Sequence, residues 1–257
     1  MLSDVWQILR ASFNKRLYLY YAVVTCFTMF GSIPIVQLKF PFLYAYIPMA
    51  SLFLIILSRN FLYPNFKFIL LSRKGVKLPV SNQFKQLAGR MNTPLEEIRI
   101  IATNEKNAFA TRNGIAFTKG LWDELSHGEI MAVAAHELGH KKGRHVIYRF
   151  LVMLGVMAAV IVEWSRFTSP ILLNETITQI LFTAMMNVSL LAFLVVVMIP
   201  LSWIAELKAD EAAARFAGKE NIRSALLKLT KPEQTGQPCE THPSIQERIK
   251  RIEKMKI

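Results

Sequence analysis

Residues 126–142 read SHGEIMAVAAHELGHKK. Ser126 and Glu129 have the Ser-x-x-Glu spacing of a capping box, in which the N-cap hydroxyl and the third helical carboxylate satisfy each other's backbone amides. The apolar run Ile130 to Ala135 follows directly, so the pattern predicts a helix starting near Ser126. On that helix, His136-Glu137-Leu138-Gly139-His140 sets two imidazoles one turn apart and about 40° from each other around the axis. Two imidazoles so placed can grip one cation. Zinc suits imidazole nitrogen, is redox-inert, and in catalytic sites takes three protein ligands and a water. Glu137 is rotated away from the two histidines, where it can accept a proton from an activated water and return it to a leaving amine.

A third ligand must come from elsewhere. Gly143 and His145 nearly complete the pattern H-E-x-x-H-x-x-G-x-x-H, but that pattern needs His at 146, which is Val146. On a continuing helix His145 would point about 180° away from His136, which predicts an interfacial residue at the mouth of a membrane span. His127 reads as a solvated capping-region side chain. Glu206-Leu207-Lys208-Ala209-Asp210 fits better, with two acids at i and i+4 on one helical face. One acid can bind the metal while the other orients a ligand or a nearby cation from behind. Two histidines and one glutamate would leave a zinc site with net charge +1 and an open position, suited to polarising a carbonyl.

Outward from these motifs the chain is both basic and apolar. Its 257 residues carry 31 Lys+Arg against 18 Asp+Glu, a formal net charge of +13. Yet 53% are hydrophobic and 19% charged, with a mean hydropathy of +0.30; a soluble domain has about 25% charged residues. Disorder is excluded, and with 2 Cys so are a disulfide framework and a cysteine-rich zinc site. The charge suggests nucleic acid, but no nucleic-acid-binding motif or basic-aromatic stripe accompanies it, so no nucleic-acid partner is expected.

The apolar residues are blocked into uncharged runs, Leu17 to Leu38, Phe40 to Ser58, Phe150 to Val162 and Thr176 to Ala205. A bilayer core about 30 Å thick needs about 20 apolar helical residues. The third run qualifies when extended to Val146 through Trp164, with Arg149 snorkelling to the headgroups. Arg10, Lys15 and Arg16 precede the first run, and Lys141, Lys142, Arg144 and Arg149 gather before the third. The positive-inside rule then predicts about four spans with both termini cytoplasmic. The polar, overlong start of the chain is not read as a cleavable signal. The expected organisation is an N-terminal segment and membrane hairpin over 1–58, a first part of a cytoplasmic catalytic domain over 59–145, a second hairpin over 146–203, and the rest of that domain over 204–257. In the catalytic domain Ser81 opens a helix bearing Phe84, Leu87, Ala88 and Met91 on one side and ending before Pro94. Strands are expected at Ile98 to Thr103, Asn107 to Arg112 and Ile115 to Thr118, with Asn113-Gly114 as a hairpin signal. The fold class expected is a mainly α integral membrane protein with a cytoplasmic α+β zincin-like domain holding a small antiparallel sheet.

His136-Glu137-Leu138-Gly139-His140, Glu206-Leu207-Lys208-Ala209-Asp210, and Thr241-His242-Pro243-Ser244 leading to Arg248 together resemble the HtpX-type membrane zinc metalloproteases, gluzincins related to the CAAX prenyl endopeptidases. Asn107-Ala108-Phe109-Ala110 and Gly120-Leu121-Trp122 also fit, so the resemblance runs from near residue 80 onward. It implies His136, His140 and Glu206 as ligands of one Zn2+, Glu137 as the base and Asp210 as the accompanying acid. It further implies that His242 and Arg248 approach substrate or the tetrahedral intermediate. Asn107, Ala108, Phe109 and Ala110 would form the edge to which an extended substrate peptide adds as a strand. The family commonly has Ser-Arg before the ligand glutamate; here the pair is Ser202-Trp203, so that arginine's role must be met otherwise.

The function expected is a zinc endopeptidase in a bacterial or archaeal cell membrane, cleaving membrane or membrane-associated proteins at the cytoplasmic face in quality control. A CAAX-type processing protease is one alternative, although about four spans leave little room for a large intramembrane chamber. A membrane sensor or chaperone-like protein retaining the protease fold is another, against which the intact Glu137 argues.

Overall fold

The computed structural model of the protein describes residues 75–111, 113–145, 147–155, 158, 197–229 and 242–256. In chain order these form β1 (Val76–Leu78), α1 (Asn82–Arg90), β2 (Glu97–Ile101), β3 (Ala108–Ala110) and β4 (Gly114–Thr118). Then come α2 (Lys119–Glu124), α3 (His127–Lys142), α4 (Ile199–Ala217), α5 (Lys219–Leu229) and α6 (Ile245–Lys254). The described residues up to 148 and from 200 onward belong to one compact unit, and residues 149–155, 158 and 197–199 to another. The spans expected at 17–38 and 40–58 lie outside the described residues, as do 146, 156, 157 and 159–164 of the third and 176–196 of the fourth. Among the described residues no helix is long and apolar enough to cross a membrane. Residues 147–155 are helical and expose Ile147, Tyr148 and Leu151, each more than half accessible.

The start of α3 is the capping box expected from its sequence. The Ser126 amide donates to Glu129 Oε2 at 2.7 Å, and the Glu129 amide donates to Ser126 Oγ at 3.5 Å. The helix is buried nearly all round: Ala132, Ala134, Ala135 and Leu138 expose nothing. Such a helix is a core element, not an amphipathic surface one. Around it pack Phe84 and Leu87 of α1, Ile115 and Phe117 of β4, Ile222 of α5 and Ile252 of α6. Of the side read from the sequence for α1, Phe84, Leu87 and Ala88 are buried on the helix and Met91 at its C-cap.

The sheet has the order β1-β2-β4-β3 and is mixed, which corrects the expected antiparallel sheet. β3 and β4 do form an antiparallel hairpin, with Phe109 opposite Ala116. β2, however, pairs parallel with β4, Ile98 opposite Ile115 and Ile100 opposite Phe117, while β1 adds antiparallel to β2. The reason lies in β4, whose five residues GIAFT are all buried. A strand apolar on both faces takes an interior position with a neighbour on each side. β2 fills the side opposite the hairpin, and β3 is left as an edge.

α4 carries on from the end of the fourth apolar run and lies against α3. A Cβ on Gly139 would sit 3.1 Å from the Ala209 backbone and 3.2 Å from the Ala212 side chain. Glycine between the two histidines and alanine between the two acids therefore let the helices approach closely, since small residues set the interaxial distance.

Candidate metal centre

The close approach of α3 and α4 brings together the two histidines of one and the two acids of the other. His136 Nε2 and His140 Nε2 are 3.1 Å apart. Glu206 presents Oε1 at 3.2 Å from His140 Nε2 and Oε2 at 3.5 Å from His136 Nε2. One ligand atom from each of His136, His140 and Glu206 lies within 4.8 Å of the others. Asp210 is one turn along α4 and sits behind His136, its Oδ1 2.9 Å from Nδ1. Arg248 of α6 in turn holds Asp210 with two hydrogen bonds, Nε to Oδ2 at 2.7 Å and Nη2 to Oδ1 at 2.6 Å. Both partners of that pair are buried, Asp210 at 1% exposure. His242, half exposed, places Nδ1 3.0 Å from Glu206 Oε2.

The hydrogen-bond chemistry tests whether a cation belongs here. An ionised carboxylate only accepts, so His136 must carry its proton on Nδ1 to bond Asp210, leaving a lone pair on Nε2. That lone pair faces the second imidazole and the Glu206 oxygens. Glu206 Oε2 is buried and has no aligned hydrogen bond despite its near neighbours. Buried polar atoms in native proteins are almost always satisfied. A convergence of imidazole nitrogens on a buried carboxylate oxygen that has no aligned hydrogen bond is satisfied by a cation, either a proton or a metal. Two nitrogens and one carboxylate oxygen match the donor types of a catalytic zinc set.

The electrostatics point the same way. Burial opposes charge on His136, but hydrogen bonds and charge from Asp210 and Glu206 prevail and hold its pKa at about 10, so a proton occupies the cluster when no metal does. Burial likewise works to raise Glu206, yet its hydrogen-bonding histidines keep its carboxyl far below the usual carboxylate range. Asp210 is lowered too, against burial, chiefly by Arg248. Glu137 goes the other way: desolvation lifts its pKa in spite of the two histidines. The two acids of the cluster are thus shifted in opposite directions, Glu206 down by its histidines and Glu137 up by burial.

Glu137 is also tied to the sheet. The Ala110 amide donates to Glu137 Oε2 at 3.0 Å. In the β3–β4 ladder Asn107 and Thr111 use their main-chain groups on β4, so the intervening Ala108 and Ala110 turn theirs outward. Asn107 closes the hairpin: its carbonyl accepts from the Thr118 amide, its own amide donates to Thr118 Oγ1, and its Oδ1 accepts from the Ala108 amide, each at 2.9 Å. Phe109 is half-buried on β3.

His145 is placed differently from its sequence expectation. Its Nδ1 is 3.0 Å from His140 Nδ1, and the two rings meet edge-on with centroids 5.2 Å apart. Helical extrapolation fails because α3 ends at Lys142: Gly143 caps it and Arg144 turns the chain with φ 48°. The glycine three residues after His140 was the available stop signal. His127 is exposed at the other end of α3, bonded to Gln83.

Known proteins resemble the chain in sequence and in fold. The chain is 35% identical over 178 residues to Protease HtpX of Legionella pneumophila, a match covering 64% of this chain and 63% of that protein. It is 28% identical over 208 residues to the Protease HtpX homolog of Pelotomaculum thermopropionicum, covering 67% of this chain and 74% of that one. The crystal structure of S. mikatae Ste24p shares the fold with a TM-score of 0.52 at 22% identity, over 93% of this chain and 64% of that chain. Residues 77–256, which include every member of the cluster, match the model of Peptidase family M48, and the chain belongs to that family.

Proposed function

We propose that the protein is a membrane-embedded zinc endopeptidase that hydrolyses peptide bonds of membrane or membrane-associated proteins at the cytoplasmic face. The observation that carries this reading is the buried convergence of His136, His140 and Glu206 on one point, with Glu137 beside it and an edge strand tied to Glu137. His136 and His140 through Nε2 and Glu206 through its carboxylate would hold the ion. Zinc bound there supplies Lewis acidity, lowering the pKa of a water and polarising a carbonyl.

The residues of the chain divide the remaining work. An extended peptide adding to the outward edge of β3, at Asn107 to Ala110, would run its scissile bond past the carboxylate that the Ala110 amide holds. Glu137 takes a proton from the attacking water and delivers it to the leaving amine. Its raised pKa makes it a stronger base toward that water than an ordinary carboxylate. His242, at the exposed rim, donates to the oxyanion that develops on the substrate carbonyl. Arg248 acts through Asp210, which fixes the His136 tautomer. In the membrane reading, the exposed Ile147, Tyr148 and Leu151 face lipid where the chain leaves the catalytic domain. The uncharged runs supply the hairpins over 1–58 and 146–203, and the two intervening stretches supply one catalytic domain at the inner surface.

The test uses the full chain in detergent, assayed for zinc content and for cleavage of an unfolded protein. Glu137→Gln should keep its zinc and lose cleavage, while His136→Ala and Glu206→Ala should lose the metal. Undiminished cleavage by the Glu137 variant would refute the mechanism.

A further inference from the structure

We infer that His145 is a positioning residue that fixes the His140 tautomer, so that the metal pocket holds its two histidines by unlike means. The inference rests on the metal reading of the site. His140 can offer Nε2 to a cation only if its proton is on Nδ1, and that proton needs an acceptor. Asp210 supplies the acceptor for His136 at 2.9 Å. For His140 the group at that position is His145 Nδ1, 3.0 Å away. The direction of this bond is fixed by chemistry: were His145 to donate, His140 would carry its proton on Nε2 and lose its metal-binding lone pair. His145 therefore accepts through Nδ1 and keeps its own proton on Nε2.

The turn that delivers His145 is built for it. α3 stops at Gly143, whose backbone is right-handed at φ −72°, so no conformational need for glycine exists there. The need is spatial: a Cβ on Gly143 would overlap the His145 imidazole. Arg144 then takes φ 48°, reversing the chain so that the ring returns over the end of α3. A left-handed non-glycine residue is uncommon and persists where its surroundings hold it. Glycine and strained arginine together place one side chain, and that side chain touches a candidate ligand.

The two histidines are thus backed differently. His136 is backed by an acid that is itself locked by Arg248, and His140 by an imidazole that adds no negative charge to the pocket. A neutral His145 leaves unchanged the net +1 that a Zn2+ would have with two neutral histidines and one glutamate, which favours an electrophilic metal.

Zinc affinity of the full chain, measured by competition with a chromogenic chelator, separates this from a packing role. His145→Ala and His145→Phe should each weaken zinc roughly 10- to 100-fold, because orienting partners of ligands are worth about that much. The phenylalanine variant keeps the ring volume and removes only the acceptor. His145→Asn, whose Oδ1 stands where the imidazole Nδ1 stands, should restore most of the affinity. Gly143→Ala should reproduce the loss without changing any polar group, by displacing the ring. Wild-type affinity in both the Phe and the Gly143→Ala variants would overturn the inference, as would Asn binding no better than Phe. Absence of zinc from the wild-type chain would overturn the metal reading and this inference together. Should the alanine variant fail to fold, the Phe and Asn pair alone decides.

Discussion

Glu129 at the start of α3 and Glu206 on α4 are both almost fully buried acids, at 4% and 7% exposure, and their surroundings differ in kind. Glu129 Oε1 accepts from Ser224 at 2.5 Å, and Oε2 accepts from Lys228 at 2.8 Å and from the Ser126 amide at 2.7 Å. Every oxygen is matched to a donor, so the group ties α3 to α5 and has no capacity left. Glu206 has an oxygen without an aligned donor, and its nearest neighbours are imidazole nitrogens that themselves need a cation. A saturated buried acid is a structural anchor, because an unmatched one would be costly. An unsaturated one, kept ionised by its neighbours, is a place where something is meant to bind.

Substitutions by glutamine should pull these two acids apart. Glu206→Gln is expected to give the largest effect, with zinc no longer co-purifying. Zinc retained in full by this variant would erase the distinction from Glu129. Arg248→Ala comes next. It leaves Asp210 buried without its guanidinium partner and held by His136 alone, and urea unfolding should show a loss of about 3–5 kcal/mol.

Glu129→Gln should leave zinc bound and lower stability on the order of 3 kcal/mol at neutral pH. The sign of its pH dependence follows from its pKa. Burial raises it, but Lys228, Ser224 and Ser126 prevail and bring it from 4.5 to about 2. A carboxylate depressed by folding contributes stability that is fully present above the unfolded pKa and is lost as pH falls through the folded one. The wild type should therefore lose this share between about pH 4.5 and about pH 2, and the glutamine variant should not. Parallel melting curves for the two proteins across that range would remove Glu129 as the anchor. The smallest effect is expected from Ser126→Ala, about 1 kcal/mol for the lost cap, with zinc affinity unchanged.

Much of the site was legible because helical periodicity is local. A one-turn spacing puts His136 beside His140 and Glu206 in line with Asp210 whatever the rest of the chain does. The capping box read at Ser126 and the apolar side of α1 are short-range in the same sense. The sheet was legible only in part: the β3–β4 hairpin follows from neighbouring sequence, but the parallel pairing of β2 with β4 reflects how many buried neighbours β4 requires. β1, three residues long, left no periodic signal at all.

Sequence alone therefore determined a helix with two histidines on one face, a glutamate between them, and a second helix with two acids one turn apart. Tertiary structure decided which acid meets both histidines, which stands behind His136, and that Arg248 pairs with Asp210. It also decided that His145 turns back to His140. The physical reason is the range of the interactions. Spacing within a helix is set by its own backbone hydrogen bonds, whereas contacts between helices depend on how closely Gly139 and Ala209 let them approach, and on where a chain reverses after its last helical residue.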